Sequence, residues 1–359
     1  MQNRKPYCGV IIRQISDHYY YIFVNITIPV SLIGMILNLL NILVFTRKTM
    51  NSPPNLILAH LAFVDFLLLL ASIAQFWIST ILAEIKDFAL RQSYAVTIVR
   101  CYIDISVALF QFISIFLTVQ LAAWRYIAVL HPLKERHWCN KKITRNVLIT
   151  GYVLCCVLCV IPYHLSFDIE ASNMDGKTKY TATFKQHPIM LSIRDIIYGL
   201  VMQLLPSVVL VGLTCRIVVA LLARKTRREE LTSSAGTRSN MKNAEMRQQT
   251  NRSTAILLAV ATLFFIAEFP RGMLWLLKTI DHYGWYACYY ELVGIFVTIV
   301  NINASITFIV YYTLSQQFRT TFKSLFSRKP RTSISYQTHA PLASGDTEET
   351  NSGWKTSEV

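Results

Sequence analysis

Charged side chains are scarce in this 359-residue sequence, and several long stretches contain none. Asp, Glu, Lys and Arg make up only 15% of the chain, whereas an ordinary globular protein has about a quarter. The uncharged intervals lie between Asp17 and Arg47, Arg145 and Asp168, Asp195 and Arg216, and Glu291 and Arg319. A membrane-spanning helix needs roughly 20 apolar residues at 1.5 Å rise each. The sequence therefore predicts a polytopic helical membrane protein and excludes a soluble enzyme.

Hydropathy predicts an all-α fold, a seven-transmembrane helix bundle. The apolar runs are continuous rather than alternating, so they are not the strands of a membrane barrel. We expect the spans at about 19–46, 54–82, 99–130, 143–163, 193–222, 253–278 and 290–313.

The remaining segments complete the predicted domain organisation. Phe318, Phe322, Leu325 and Phe326 form an apolar stripe at helical spacing, which is typical of an interfacial amphipathic helix. The polar segment after it lacks a core-forming pattern and is expected to be disordered. The predicted units are an extracellular N-terminus at 1–18, the receptor-like bundle at 19–313, a short amphipathic cytoplasmic helix at 314–328 and a cytoplasmic tail at 329–359.

Basic residues predict the orientation in the membrane. The loops on the side of the C-terminus hold Arg47, Lys48 and the dense basic run 224–252, whereas the opposite loops mix bases with acids. The positive-inside rule therefore predicts an extracellular N-terminus, a cytoplasmic C-terminus and, for such a protein, the plasma membrane. The net charge of +15 indicates topology and contact with anionic lipid, not nucleic-acid binding. No cleaved signal peptide is expected at the N-terminus.

The end of the third span carries a recognisable string. Trp124-Arg125-Tyr126 is followed by Ile-Ala-Val and by His131-Pro132. This string resembles the inner end of the third helix in rhodopsin-like, or class A, G-protein-coupled receptors. That family usually has an acid where Trp124 stands, and the Trp-Arg-Tyr variant resembles the invertebrate myosuppressin and FMRFamide-like neuropeptide receptors.

Two later strings extend the resemblance over about residues 19–326. Glu268-Phe269-Pro270 is similar to the subgroup's sixth-helix motif, although Arg271 replaces its glutamine. The seventh-helix motif appears as Thr307-Phe308-Ile309-Val310-Tyr311. The resemblance implies a neuropeptide receptor that signals to a heterotrimeric G protein, without enzymatic activity and without a cofactor.

The resemblance also assigns residues to activation. Asp65 lies deep in the second span, where an ionisable group is costly and by default functional. It is either kept neutral or hydrogen-bonded to Asn38 and the seventh helix, or it is a switch residue and weak sodium-site candidate. The residues expected to serve G-protein coupling and activation are Trp124, Arg125, Tyr126, Asp65, Asn38, Phe264, Pro270, Asn303 and Tyr311.

Acids and aromatic residues in the outer half form the expected ligand site. FMRFamide-like peptides end in Arg-Phe-amide, and a guanidinium favours a carboxylate partner. Glu268 has two interpretations: an ion pair with Arg271, or a pocket floor coupled to a cationic ligand or to Asn303. The candidates are Asp104, Glu268 and Glu291 for the cation, and Trp77, Phe110, Trp275 and Tyr290 for the phenyl ring.

The outer loop after the fourth span lacks the cysteine that the family usually bonds to the third helix. The usual disulfide of Cys101 is therefore impossible, and a bond from Cys101 to Cys8 or Cys288 is the alternative. The other cysteines in the spans are expected to be packing residues. Asp175-Gly176 and the alternating residues 178–184 favour a hairpin in this loop, the alternative being a mobile polar loop.

The sequence leaves alternative functions open and predicts two further partners. A small-molecule ligand is the alternative within class A, and a membrane transporter is the alternative outside it. A retinal protein would need a lysine in the seventh span, which has none. Phosphorylation of the tail predicts arrestin binding, and Ser357-Glu358-Val359 resembles a ligand for PDZ domains.

Overall fold

The computed structural model describes residues 23–84, 93–174, 177–184, 188–232 and 240–326. Its elements are, in chain order, α1 Ile28–Phe45, α2 Pro53–Glu84, α3 Tyr94–Leu130, α4 Pro132–Trp138, α5 Lys141–Ser166, β1 Phe167–Met174, β2 Lys177–Phe184, α6 Pro188–Ile196, α7 Leu205–Thr232, α8 Asn240–Ile280, α9 His282–Leu314 and α10 Gln316–Phe326. A π-helical turn, Phe23–Thr27, leads into α1. The N-terminus 1–18, the turn at 175–176 and the tail at 329–359 lie outside the described residues.

The described helices form the predicted seven-transmembrane bundle. Six stretches are long and apolar enough to cross a membrane: Asn25–Phe45, Pro53–Ile78, Tyr94–Leu130, Lys141–Ser166, Leu191–Arg224 and Leu292–Leu314. The predicted sixth span, 253–278, lies within α8. A π-helical segment, Ile197–Leu204, joins α6 to α7, so these form one continuous fifth span. The fold class predicted from hydropathy is confirmed.

Apolar side chains divide into an inward and an outward set along each span. In α1, Gly34, Asn38 and Asn41 are buried against α2 and α9, whereas Ile33 and Ile36 are 57% and 60% exposed. Soluble proteins rarely leave such continuous apolar faces in water, and a bilayer covers them. The long α3 occupies the centre, where it contacts α2, α5 and α7.

The segment between α5 and α6 is an antiparallel hairpin, as its alternating residues predicted. β1 pairs with β2 from Phe167↔Phe184 to Met174↔Lys177. The Thr97 hydroxyl of α3 donates to the Tyr180 carbonyl at 3.2 Å, and the Tyr94 and Tyr180 rings pack edge-on at 5.6 Å. These contacts fasten the hairpin to α3 where a disulfide would otherwise do so. We call this end of the bundle the hairpin end.

The cysteines differ from the expected pairing of Cys101. Cys101 is buried and free, whereas Cys288 at the start of α9 is in a disulfide. Because Cys101 is free, neither alternative bond, to Cys8 or to Cys288, is present, and the expected pairing of Cys101 is wrong. Cys155 and Cys159 are free and buried in α5, which agrees with their expected role in packing, whereas Cys156 and Cys215 are free and exposed, so they do not pack inside the bundle.

At the opposite end of the bundle, α10 packs across the base of α1 and α9. Phe318 is fully buried and lies 5.2 Å from the Phe45 ring and 5.5 Å from the Phe308 ring, centre to centre. Phe326 is 69% exposed, and Arg319 donates to the last carbonyls of α9 at Thr313 and Tyr312. Phe318 is thus docked against α1 and α9, while Lys323 and Phe326 are exposed, as expected of an interfacial helix. We call this end the α10 end.

We predict that Gly34→Ala destabilises the bundle by about 1–3 kcal/mol, the usual cost of overpacking. A Cβ at Gly34 would lie 2.0 Å from Ser305 Oγ and 2.9 Å from Leu69 Cδ1. That hydroxyl donates to the Asn301 carbonyl at 2.7 Å, so it would have to leave a buried hydrogen bond. The measurement is the midpoint of thermal unfolding of the detergent-purified protein, read as loss of the monodisperse peak.

Gly212→Ala is the matched control. A Cβ at Gly212 meets nothing within 4 Å, and alanine restricts the unfolded chain more than glycine. We expect a midpoint equal to or above that of the wild type. A Gly34 variant as stable as the Gly212 variant would contradict the close approach of α1 to α9.

Candidate functional site

A buried polar network joins α3 to α8 in the middle of the bundle. The Gln111 side-chain nitrogen donates to both carboxylate oxygens of Glu268, at 3.0 and 2.8 Å. The Gln111 oxygen accepts from Arg271 Nη1. Gln111, Glu268 and Arg271 are 1%, 2% and 9% exposed. One neutral amide thus bridges a buried acid and a buried base, because it has a donor for the one and an acceptor for the other.

This network shows which contacts Glu268 makes within the protein and leaves its coupling to a ligand as a prediction. Its carboxylate contacts Gln111 rather than forming a direct ion pair with Arg271, and no hydrogen bond to Asn303 is present among the described residues. Removing one member of such a network leaves a buried charge without its partner, which is costly in low dielectric. Sequence reasoning missed Gln111, although a lone glutamine within an apolar span was a usable signal.

A second cluster lies between the start of the fifth span, the end of α8 and the first turns of α9. Asp195 accepts from Arg194 at 2.7 Å and from Lys278 Nζ at 3.1 Å. Lys278 Nζ also lies 3.9 Å from the centre of the Trp275 ring and 4.8 Å from that of Tyr289. Carboxylate and aromatic faces together compensate the buried ammonium. The sequence predicted only Trp275 here, because the other members are isolated charges near the ends of spans.

The remaining ligand candidates are not all brought together. Asp104 in α3 accepts from Gln75 of α2 at 2.7 Å. Phe110 is partly buried between two apolar clusters of the core. Trp77 is 52% exposed on the outer surface of α2, so its ring is directed away from the network. The side chains of Tyr290 and Glu291 lie outside the described residues.

Asp65 is bound by Ser114 of α3, which donates to it at 2.6 Å. Asn38, the expected partner, instead donates to the carbonyls of Gly34 and Ala304, each at 3.0 Å. Beside Asp65 is a cavity of about 30 Å³, enough for one water molecule or one small ion. Its lining includes the predicted activation residues Asp65, Phe264, Asn303 and Tyr311, together with Ser114, Thr118 and Thr307.

Described residues outside this cavity give no other candidate for a metal. No group of three or more His, Cys, Asp or Glu side chains that could hold a metal ion occurs among them. A single carboxylate with hydroxyl neighbours can bind either an alkali ion or a water molecule. Asp65 therefore stays a weak sodium-site candidate.

Trp124 turns away from Arg125 and toward α5. Its ring nitrogen donates to the Thr144 hydroxyl at 3.0 Å, and that hydroxyl donates to the Asn140 carbonyl at 2.9 Å. Asn140 in turn caps α5 by accepting from the Ile143 amide at 2.9 Å. The residue that replaces the family's acid therefore fixes the start of α5 instead of neutralising the arginine.

Arg125 is partly buried and has no hydrogen bond or ion pair with any described residue. Tyr311 of α9 packs edge-on against Phe45 at 5.6 Å. Tyr126 lies 6.0 Å from the His131 ring at the end of α3. Trp124 and Tyr126 thus have partners of their own, whereas the Arg125 guanidinium has none among the described residues.

Comparison with known proteins agrees with this arrangement. Residues 25–329 match the family model described as the serpentine type 7TM GPCR chemoreceptor Srw. The chain is 25% identical over 316 residues to the sex peptide receptor of Drosophila melanogaster, covering 82% of this chain and 70% of that protein. It is 25% identical over 311 residues to sex peptide receptor-related protein 2 of Caenorhabditis elegans, covering 79% of this chain and 66% of that protein. Identity to the FMRFamide receptor of Drosophila melanogaster is 25% over 315 residues, covering 84% of this chain and 53% of that protein.

We predict that Gln111→Leu destabilises the protein by about 1–3 kcal/mol, the penalty for stranding buried polar partners. Leucine fills the same space but leaves Glu268 and Arg271 without their shared amide. Gln120→Leu is the matched control, because Gln120 is 4% exposed in the same helix and both of its side-chain polar atoms lack partners. Thermal unfolding in detergent should show a lower midpoint for the first variant and an unchanged or higher one for the second. The reverse order would contradict the bridging role of Gln111.

Proposed function

The chain belongs to the serpentine seven-transmembrane G-protein-coupled chemoreceptor family Srw, and we propose that it is activated by an FMRFamide-like neuropeptide that binds at the hairpin end. It is a class A-like receptor related to neuropeptide receptors. Receptors named for sex peptide and for FMRFamide match most of its length. The class of the ligand is our proposal, and it goes beyond that relationship.

One observation carries the proposal: a single helix, α3, contributes to both ends of the receptor. Asp104 and Gln111 lie on its hairpin side, whereas Trp124 and Arg125 lie at its α10 end. About 30 Å of helix separates Asp104 from Arg125 at 1.5 Å per residue. Because α3 is rigid and central, a ligand that shifts its contacts with α8 also changes the surface around Arg125.

The mechanism is a population shift between two arrangements of α3 and α8. A ligand that contacts the Gln111–Glu268–Arg271 network stabilises the arrangement it binds better. The same arrangement must also expose Arg125 to the G protein. The ligand site and the G-protein site are then coupled through α3. Arg125 is suited to this step because it has no ion pair among the described residues to break first.

Asp104 is the acid best suited to the ligand's guanidinium. Glu268 is already compensated by Gln111 and Arg271, whereas the described hydrogen bond of Asp104 comes from the neutral amide of Gln75. An arginine side chain can therefore add charge compensation at Asp104 without displacing another cation. The phenyl ring of the ligand would then pack near Phe110 and Trp275. Tyr290 and Glu291, at the start of α9, complete the proposed site.

The orientation and further partners follow from the same proposal. The hairpin end is extracellular and the α10 end is cytoplasmic, in the plasma membrane. Lys48, Lys134, Lys141 and Lys142 then face anionic lipid. The tail beyond α10 offers phosphosites for arrestin and Ser357-Glu358-Val359 for a PDZ domain.

Arg125→Ala is predicted to abolish G-protein activation while cell-surface expression persists. The reason is that the guanidinium has no described partner within the receptor, so its loss removes a contact to the G protein and not a structural bond. Nucleotide exchange on a co-expressed G protein is the readout, and surface immunostaining is the check on folding. Arg216→Ala, at an exposed arginine of α7, is the control. Full signalling by the Arg125 variant would contradict the proposed coupling site.

Asp104→Asn is predicted to weaken activation by Phe-Met-Arg-Phe-amide by about 1.5–3 kcal/mol, roughly ten- to a hundred-fold in potency. Asparagine keeps the acceptor for Gln75 but removes the charge. Asp168→Asn provides a matched control, since Asp168 is exposed on β1 and binds its neighbour's amide, that of Ile169. Equal potency on the Asp104 variant and the wild type, or no response of the wild type to peptides ending in Arg-Phe-amide, would reject this ligand class.

A further inference from the structure

The fifth span and α8 approach each other closely along a contact that we call the seam, and the fifth span is π-helical there. A Cβ on Gly199 would lie 2.6 Å from Trp275 Cβ, and one on Gly272 would lie 3.1 Å from Gln203 Cβ. Gly199 and Gln203 belong to the π-helical segment Ile197–Leu204. Segments of this kind interrupt the ordinary helical pattern and often accompany functional sites. The side chains of Gln203, Arg271 and Trp275 therefore border one seam.

Each of these three side chains has one buried polar atom without a hydrogen bond. The atoms are Oε1 of Gln203, Nε of Arg271 and Nε1 of Trp275. Gln203 is 1% exposed and Arg271 is 9% exposed. Arg271 and Trp275 are four residues apart in α8, so they share a helical face. Buried polar atoms are normally paired, so the unpaired atoms of these three residues, which flank one helix contact, are candidates for binding a polar group that the described residues do not supply.

The three atoms define what that group must be. Two of them, on Arg271 and Trp275, are N–H donors, and the third, on Gln203, is an acceptor. A primary carboxamide offers one carbonyl oxygen with two lone pairs and two N–H donors. Its oxygen can accept from both donors while its nitrogen donates to Gln203. An ester has no N–H donor for the Gln203 oxygen. A carboxylate has none either, and it would place a second acceptor beside that unpaired oxygen.

We infer that this seam is a subsite for a primary carboxamide of the ligand, held by Gln203, Arg271 and Trp275. The inference deepens the proposed function, on which it rests, by assigning residues that recognise the ligand's terminal group. Trp275 is partly exposed, and in this inference the ligand reaches the seam from its side. The group can be a C-terminal amide or the side chain of asparagine or glutamine, which present the same atoms.

The subsite can be tested on the purified full-length receptor without its native ligand. Small probes bind the folded state and raise its unfolding midpoint, from which a dissociation constant is obtained. The probes are N-acetylphenylalanine amide, its methyl ester and its free acid. We expect the amide to bind about five-fold more tightly than the ester, the worth of one hydrogen bond. N-acetylglutamine methyl ester is a fourth probe: binding like the amide assigns the group to a side chain, and weaker binding assigns it to a C-terminus.

Two variants decide whether the named residues are responsible. Gln203→Met should remove the preference for the amide over the ester, whereas Gln120→Met, at the unpaired glutamine of α3, should keep it. Trp275→Phe keeps an aromatic ring but removes the N–H donor, so binding of both the amide and the ester should weaken by several-fold. This variant provides the test if the Gln203 variant does not fold. Equal binding or no binding of the amide and ester, tightest binding of the free acid, or an amide preference that survives Gln203→Met overturns the inference. A failed peptide screen would reject the neuropeptide proposal and leave these outcomes unaffected.

Discussion

Polar side chains within an apolar bundle are costly unless they find partners inside the protein, and the contacts that satisfy them join the helices of this structure. The Gln111 bridge, the Asp195 cluster and the Asp65–Ser114 bond each join two helices by satisfying a group that lipid cannot. Apolar packing against lipid does not discriminate between helix arrangements, since lipid is as apolar as leucine. The polar contacts therefore specify which helix faces which, and they lie along the line from the hairpin end to Arg125.

The same contacts explain how the protein can have two states. Gln111 holds an acid and a base of α8 through one amide, and the proposed mechanism places the movement of α8 relative to α3 at this amide. At the α10 end, Trp124 is committed to Thr144 and leaves Arg125 unpaired among the described residues. The receptor thus has a polar network in its middle and, at the proposed G-protein surface, a cation without an ion pair among the described residues.

Much of the fold, and less of the site, could be predicted from the sequence. Uncharged runs and continuous hydropathy gave the seven spans, and the Trp-Arg-Tyr and Glu-Phe-Pro strings gave the family. The partners of Glu268 and Asp65 could not be predicted, because both depend on which face of α3 meets which neighbour. Trp77 shows the same limit: the sequence places it at the right depth, but helix rotation directs it outward. Gln203 was missed since its meaning depends on a π-helical segment without a sequence signature.

The central claim is that ligand and G protein are coupled through α3 and α8, and reciprocity of binding tests it most directly. The affinity of Phe-Met-Arg-Phe-amide for the purified receptor should be measured with and without nucleotide-free G protein. Coupling of about 1–3 kcal/mol predicts an affinity roughly 5- to 150-fold higher when the G protein is bound. It further predicts no such gain for Arg125→Ala. Equal affinities with and without the G protein would contradict the account.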